Sequence, residues 1–458
     1  MNMQYSSKQQ LREQLVRTSG QAPLTLTPTS QSIMTSPTLA IHEAVASRRA
    51  AGHDTLHLGF GEASFPLHPL LKTALAEAAP HTGYAPVAGI PALRQAIAAY
   101  LTSKRQIPFT SDQIIVGPGS KALLFTLLQV LDGDILLPLP SWVSYAPMAH
   151  LAGKRVIGVQ ADPHDHHRLN PDRLSQAVSQ ARQEGAHPRI LLVNSPHNPT
   201  GSMFDHATLE ALACWARDNG ITLISDEIYA ELAHGWREHI SPARFYPEGT
   251  IITGGLSKAF AAGGWRLGFA ALPSTEAGAR AMVALCALAS EIWSAASTPV
   301  QEAATVAFSQ HEAIESSVQR SAHVYGYVTD QLYQTLRQLD VLCPRPAGGF
   351  YLYPDFSPWR SVLRSRGVET SQDLAHYLLA EWDTATLPGT AFQEEPTALR
   401  LRLATSALCE PRPAVSDEER EAALFHLLDQ EETLFERRPA FPLLERAQTF
   451  WTAFIRDL

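Results

Sequence analysis

The 458-residue chain predicts an α/β fold: a mostly parallel sheet in a large lobe, covered by helices on both faces, with a smaller α+β lobe. Three observations carry that prediction. The chain is long enough for two lobes. Its middle alternates apolar runs of strand length with amphipathic helical stretches, the pattern of a sheet buried on both faces. From about residue 300 the alternation gives way to long helical patterns and a few short strands.

Taken in order, residues 1–36 are rich in Gln, Ser and Thr and read as an N-terminal arm, either disordered or packed on a partner subunit. "SPTLAIHEAVASRRAAG" begins the helical periodicity, and "TLHLGFGEASFPLHP" (55–69) reads as a short strand entering a Gly/Pro loop. Residues 37–70 are assigned to the small lobe, 71–300 to the large lobe, and 301–458 to the small lobe again. The large lobe's strand candidates are 113–117, 133–140, 189–196, 220–227, 249–256 and 266–273, with helices such as "DHATLEALACWARDNG" between them. The small lobe's strands are "GGFYLYPDF" and "LRLRLATS". An acidic helix follows, opened by a capping box from Ser416 to Glu419. After Pro439 the tail has amphipathic spacing suited to covering its own domain.

Composition narrows the partners. With 45% hydrophobic and 18% charged residues the chain is that of an ordinary folded protein. A net charge of -9 offers no whole-chain attraction for nucleic acid or anionic membrane, so small molecules are the expected partners. Charged residues break up the first twenty positions, and no apolar run reaches membrane-spanning length. A cytoplasmic protein is expected. Cys214, Cys286, Cys343 and Cys409 form no C-x-x-C pair and read as buried thiols, with no metal site indicated.

Lysine is scarce here, at positions 8, 72, 104, 121, 154 and 258 only. Lys258 stands in the apolar run "ITGGLSKAFAAGGWRLGF", where burial lowers an amine's pKa and lets it form an imine with an aldehyde. Alone, it would read as a surface lysine with a buried stem; the rest of the set lifts it above that reading. The strand "GITLISDEIY" ends in Asp226, suited to a protonated ring nitrogen, with the Tyr229 phenol three residues on. "NSPHNPTG" (194–201) presents Asn198 from a turn. "VGPGSKALLFTLLQVL" runs from strand through Gly-rich turn into a helix whose first amides, near Ser120 and Lys121, can hold an anion. Ser257 and Arg266 flank the lysine with a hydroxyl and a fixed charge. Amine, carboxylate, phenol, amide and phosphate cradle together specify pyridoxal 5'-phosphate.

With N-P-T-G at 198–201, S-D-E-I-Y at 225–229, S-K-A-F from 257 and G-W-R-L-G at 264–268, the chain resembles the class I/II aminotransferases among the fold type I pyridoxal-phosphate enzymes, from about residue 39 to 430. The resemblance implies a seven-stranded sheet and a homodimer with shared sites. It implies Lys258 as the Schiff-base lysine and proton shuttle, Asp226 on the ring nitrogen, Asn198 and Tyr229 on the ring oxygen, and Trp142 of "PSWVSY" stacked on the ring. Ser120, Lys121 through its backbone, Ser257 and Arg266 match the phosphate cup, and Tyr84 matches a tyrosine reaching the neighbouring subunit's phosphate. Gly61 and Arg400 match the substrate-carboxylate clamp, Asn198 joining them. Arg402, two residues along the same strand face, is the alternative to Arg400. Gly255 departs from the family, which often has a serine there, and "GFGEASF" replaces the commoner G-E-P-D-F. Glu291 and Trp293 sit in a segment that can tune selectivity or simply pack a helix.

The implied reaction is amino transfer between an amino acid and a 2-oxo acid. The same cofactor residues serve elimination, replacement, decarboxylation and oxidation, which remain alternatives. A DNA-binding regulator built on this fold needs an added helical domain, for which 36 polar residues leave no room.

Overall fold

The computed structural model describes residues 25–162, 167–235, 237–410, 416–429 and 441–458. The chain divides into two units, Met1–Ser36 and Pro37–Leu458. In the first, the described part is a short helix, Pro28–Ser32, capped by Thr27; the rest of the expected arm, residues 1–24, lies outside the described residues.

The second unit contains the strands. After β1 (Leu56–His57) come β2 (Ile114–Gly117), β3 (Asp134–Leu139), β4 (Val156–Gln160), β5 (Pro188–Asn194), β6 (Thr222–Asp226), β7 (Thr250–Gly255) and β8 (Gly268–Ala271). Strands β2 to β8 form one seven-stranded sheet in the order β2-β8-β7-β6-β5-β3-β4. β8 runs antiparallel to both neighbours and the other pairs are parallel. Six of the seven are the strands expected from sequence. The seventh, β4, is a sheet edge whose burial is incomplete, so it carries no continuous apolar run.

Alternation along the strands separates the two faces. Ile135, Leu137, Ile190 and Leu192 pack in one cluster with Leu123, Leu127 and Leu285, from the helices Ser120–Val130 and Glu276–Ile292. Leu136, Leu191 and Val193 turn the other way, onto Leu174, Val178, Leu212 and Ala216 of the helices Pro171–Gln183 and His206–Asp218. Burial on both faces is what lets these strands be nearly all apolar.

Beyond residue 300 the helix Glu312–Gln338 leads to β9 (Tyr351–Leu352), β10 (Thr384–Ala385), β11 (Leu387–Pro388) and β12 (Leu401–Ala404). β12 lies between β11 and β9, antiparallel to both, and β10 pairs with β1. The Ser416 hydroxyl accepts from the Glu419 amide, the N-terminal half of the expected capping box. The C-terminal helix Pro442–Asp457 buries Trp451 and Phe454 against Phe356, and Gln448 donates to Thr335 at 2.9 Å, so the tail covers its own unit. The cysteines differ from expectation: Cys409 is buried, Cys286 and Cys343 are half-buried, and Cys214 is exposed on the solvent side of its helix. Among the described residues no helix is long and apolar enough to cross a membrane.

Candidate active site

The polar residues expected to carry chemistry converge beyond the carboxyl ends of the parallel strands, where α/β sheets bind ligands. Asp226 is the last residue of β6 and is 2% exposed. Its Oδ2 accepts from the Tyr145 hydroxyl at 2.7 Å, and its Oδ1 lies 3.3 Å from the Ile228 amide. Burial pushes this carboxyl up to about 6 despite those donors.

Asn194 ends the neighbouring β5. It donates to the Asp226 carbonyl at 2.8 Å and accepts from the Asn198 amide at 2.9 Å, so one side chain ties the two strand ends together. Asn198 is buried, and its Oδ1 accepts from Arg402 Nη1 at 3.2 Å. Tyr229 lies on the bend after β6, its hydroxyl 2.7 Å from that of Tyr351.

Lys258 follows β7. Its half-buried amine donates to the Gly61 carbonyl at 2.8 Å and lies 5.8 Å from the Tyr229 ring centre. Burial lowers its pKa to about 8; Glu62 opposes the shift and Arg402 adds to it. An amine so poised is still mostly protonated at pH 7 and becomes largely a nucleophile only at mildly alkaline pH.

An anion cradle lies beside it. Gly119, at φ 90°, caps the helix that starts at Ser120, and a Cβ built on it would lie 2.4 Å from Arg266 Nη2. Arg266 itself adopts a left-handed conformation at φ 52°, exposed, with Nη1 donating to the Gly263 carbonyl at 2.8 Å. A helix N-terminus and a guanidinium thus lie close in space, and Ser257 precedes that arginine in the same segment of chain. Lys121 extends its amine over the Trp142 ring, 5.0 Å from the centre, and burial followed by the Arg266 charge lowers its pKa. The donor set fits pyridoxal phosphate: a buried carboxyl for the ring nitrogen, a depressed amine for the aldehyde, an aromatic face and a cradle for the phosphate.

Arg402 of β12 and Arg400, the residue just before that strand, part company. Arg400 is held by two acids, Nε to Asp355 at 2.9 Å and Nη1 to Glu394 at 2.7 Å. Arg402 is buried with no carboxylate partner among the described residues; it lies over the rings of Tyr351 and Phe392, and its Nη2 donates to the Gly59 carbonyl at 2.6 Å. Arg402 therefore joins Asn198 at the site, whereas Arg400, the first choice from sequence, is engaged elsewhere. The alternation gives both the same face, and their partners distinguish them: two acids for Arg400, two rings and Asn198 for Arg402.

Gly61 has a steric reason: a Cβ there would lie 2.2 Å from the Tyr351 hydroxyl. So does Gly255, where a Cβ would meet the Leu267 carbonyl at 2.7 Å across the β7–β8 pair. Tyr84 is 95% exposed, away from the cluster. Glu291 is exposed at the end of its helix, and Trp293 packs against the helix and strand cluster. Tyr145, Asn194 and Tyr351 were not singled out from sequence. Tyr145 stands three residues after Trp142, and Asn194 four before Asn198, within the quoted motifs.

A model of the family described as aminotransferase class I and II matches residues 54–411. The chain belongs to that family. The aspartate aminotransferase of Geobacillus stearothermophilus is 34% identical over 384 residues, 82% of this chain and 93% of the relative. The aspartate/prephenate aminotransferase of Thermus thermophilus is 34% identical over 367 residues, 79% of this chain and 90% of the relative. Among solved structures, the Thermus thermophilus aspartate aminotransferase with maleate superposes with a TM-score of 0.76 at 32% identity, covering 89% of this chain and 99% of that one. The chain is thus an aminotransferase of the fold type I architecture, and the seven-stranded sheet is that fold's sheet.

Proposed function

We propose that this aminotransferase uses pyridoxal 5'-phosphate, held by Lys258, to move an amino group between an acidic L-amino acid and a 2-oxo acid in two successive half-reactions. The observation that supports it best is the convergence of a depressed amine, a buried carboxyl and an aryl-stacked guanidinium at one end of the sheet. When bound, pyridoxal phosphate supplies an aldehyde that bonds amines and a protonated ring that draws electrons from the substrate's Cα.

The chain's own residues do the rest. Asp226, oriented by Tyr145, keeps the ring nitrogen protonated. Tyr229 and Asn198 donate to the ring oxygen, and Trp142 covers the ring face. Ser120, the Lys121 amide, Ser257 and Arg266 hold the phosphate. Lys258 Nζ takes the proton from the substrate Cα and returns it at the former aldehyde carbon. Arg402, backed by Asn198 and with the Gly61 backbone beside it, clamps the substrate α-carboxylate.

Two further assignments rest on the relatives and on exposed groups. The aspartate aminotransferase names of the relatives, and a Lys121 amine over Trp142 with no carboxylate partner among the described residues, favour a second carboxylate on the substrate. The exposed Tyr84 ring favours a homodimer in which each copy reaches its neighbour's phosphate. In this reading residues 71–300 form the cofactor lobe, 37–70 with 301–458 form the small lobe, and the enzyme works in the cytoplasm.

The test is direct. Loaded with pyridoxal phosphate, the yellow protein is expected to bleach on adding aspartate or glutamate and to recover colour with a 2-oxo acid. Bleaching by no member of a broad amino acid panel would overturn the proposal. Ammonia or carbon dioxide released without an oxo-acid acceptor would point instead to another carbanion reaction.

A further inference from the structure

Directly after Asp226 the chain turns a second carboxylate the opposite way. Glu227 is buried and held from four directions. Arg105 Nε donates to it at 2.5 Å, the Ser241 hydroxyl at 2.5 Å and the Ser225 hydroxyl at 3.0 Å, and His239 Nε2 lies 3.1 Å away. Arg105, the last residue of the helix Pro91–Arg105, also donates through Nη1 to Glu231 at 2.9 Å, and Tyr100 of that helix lies against Glu231. The Glu227 amide donates to the Thr253 carbonyl of β7 at 2.9 Å.

Such a cluster needs a reason. Well-packed apolar residues usually stabilise a core as well as a buried ion pair does, so buried pairing alone is weak evidence for a stabilising role. The position supplies the reason. Successive strand residues point to opposite faces, so anchoring Glu227 on one side fixes the backbone from which Asp226 projects on the other. It also keeps a negative charge next to Asp226 in a site with little water, where charge interactions are strong.

We infer that Glu227, locked by Arg105, Ser241 and His239, is a positioning residue for Asp226: it sets the carboxylate's aim and strengthens its hold on a proton shared with a ring nitrogen. This rests on the cofactor reading above. The groups facing Asp226 are Tyr145, Tyr229, Thr253 and Glu227, and those facing Glu227 are Arg105, Ser225, Ser241, His239 and, through Arg105, Glu231. Consistently, against a burial that would raise it, Arg105 and then His239 hold Glu227 down at about 2, and Glu227 is a lesser cause, after burial, of the rise at Asp226.

The experiment loads purified protein with pyridoxal phosphate labelled at the ring nitrogen. Two quantities are followed: the cofactor dissociation constant, and the pH at which the ring nitrogen loses its proton, read by NMR. Glu227→Gln is expected to lower that pH by about one unit, a tenfold change in proton affinity, and to weaken cofactor binding severalfold. Glu227→Asp should recover part of both. Ser241→Ala, which removes one donor and leaves the charge, should weaken binding in the same direction by less, and keeps the test available should Glu227→Gln not fold. Glu231→Gln should lower thermal stability and leave the ring-nitrogen pH in place.

If Glu227→Gln and Ser241→Ala lower only the melting temperature, the network is structural and the inference is wrong. Asp226→Asn separates the two readings. If it too leaves the ring nitrogen and the affinity unchanged, the cofactor proposal itself fails. If it changes both while the Glu227 and Ser241 variants change neither, only the inference fails.

Discussion

The carboxyl edge of the seven-stranded sheet and the short strand β12 both deliver charged groups to one site, yet they do so with very different clarity. At the ends of β5 and β6, and three residues past the end of β7, a polar residue follows a strand buried among apolar neighbours. Asp226 and Lys258 therefore stand out by contrast. At β12 arginine alternates with leucine, and Arg400, just before the strand, shares one face with Arg402 within it. Where polar and apolar residues alternate, periodicity names the face but not the residue; neighbours from distant sequence decide.

The largest effects should fall on the sheet edge. Lys258→Ala is expected to lower turnover by about 10²–10⁴-fold, since proton transfer at Cα loses its positioned base. Lys258→Arg should do no better, because guanidinium neither bonds an aldehyde nor gives up a proton near neutral pH. Steady-state turnover checks both, and substantial activity in either would break the assignment.

The comparison is sharpest at the two arginines. Arg402→Ala is expected to lower kcat/KM by about 10²–10³-fold, mainly through KM, as the loss of a buried charged hydrogen-bond partner for a carboxylate implies. Arg400→Ala should leave KM within about threefold and instead lower the melting temperature, because it strands Glu394 and Asp355. The opposite pattern would restore Arg400 as the clamp.

Asp226 yields a change of sign. In the cofactor-free protein its pKa rises from 3.8 to about 6, so the folded state holds the extra proton and stability is lost as pH rises through that window. Asp226→Asn removes the penalty. Without cofactor the variant should be more stable than wild type above pH 6 by up to about 3 kcal/mol, a difference that vanishes below pH 4. With cofactor the order should reverse, because the ionised carboxylate then has a proton to hold. Denaturant unfolding with and without pyridoxal phosphate checks both halves.

Legibility followed the same division. Six strands and the motif-bearing residues at their ends could be read because hydrophobic contrast is local in sequence. β4 was missed because an edge strand buries less and shows less contrast. Tyr145 and Asn194 were missed for another reason: both hold Asp226, and those contacts are made only when separate strands and the helix Tyr145–Leu151 come together. Arg402 needed the Asp355 and Glu394 contacts of its neighbour before it could be chosen.

The smallest expected effect concerns Gly255, where the sequence alone suggests a lost phosphate hydroxyl and the structure suggests a packing constraint. A side chain there meets backbone on the facing strand, the Leu267 carbonyl at 2.7 Å and the Gly268 Cα at 2.9 Å, and backbone cannot swing aside as a flexible side chain can. Gly255 pairs with Gly268, whose own Cβ would fall 2.3 Å from the Ser120 amide at the start of the anion cradle. Room for a serine at 255 would have to come from moving β8, and with it the floor of the cradle. Gly255→Ser is therefore expected to cost about 1–3 kcal/mol in stability, the usual range for overpacking, and to weaken cofactor binding rather than strengthen it. Tighter binding at an unchanged melting temperature would mean that the added hydroxyl reaches the phosphate and that β7 and β8 can part without strain.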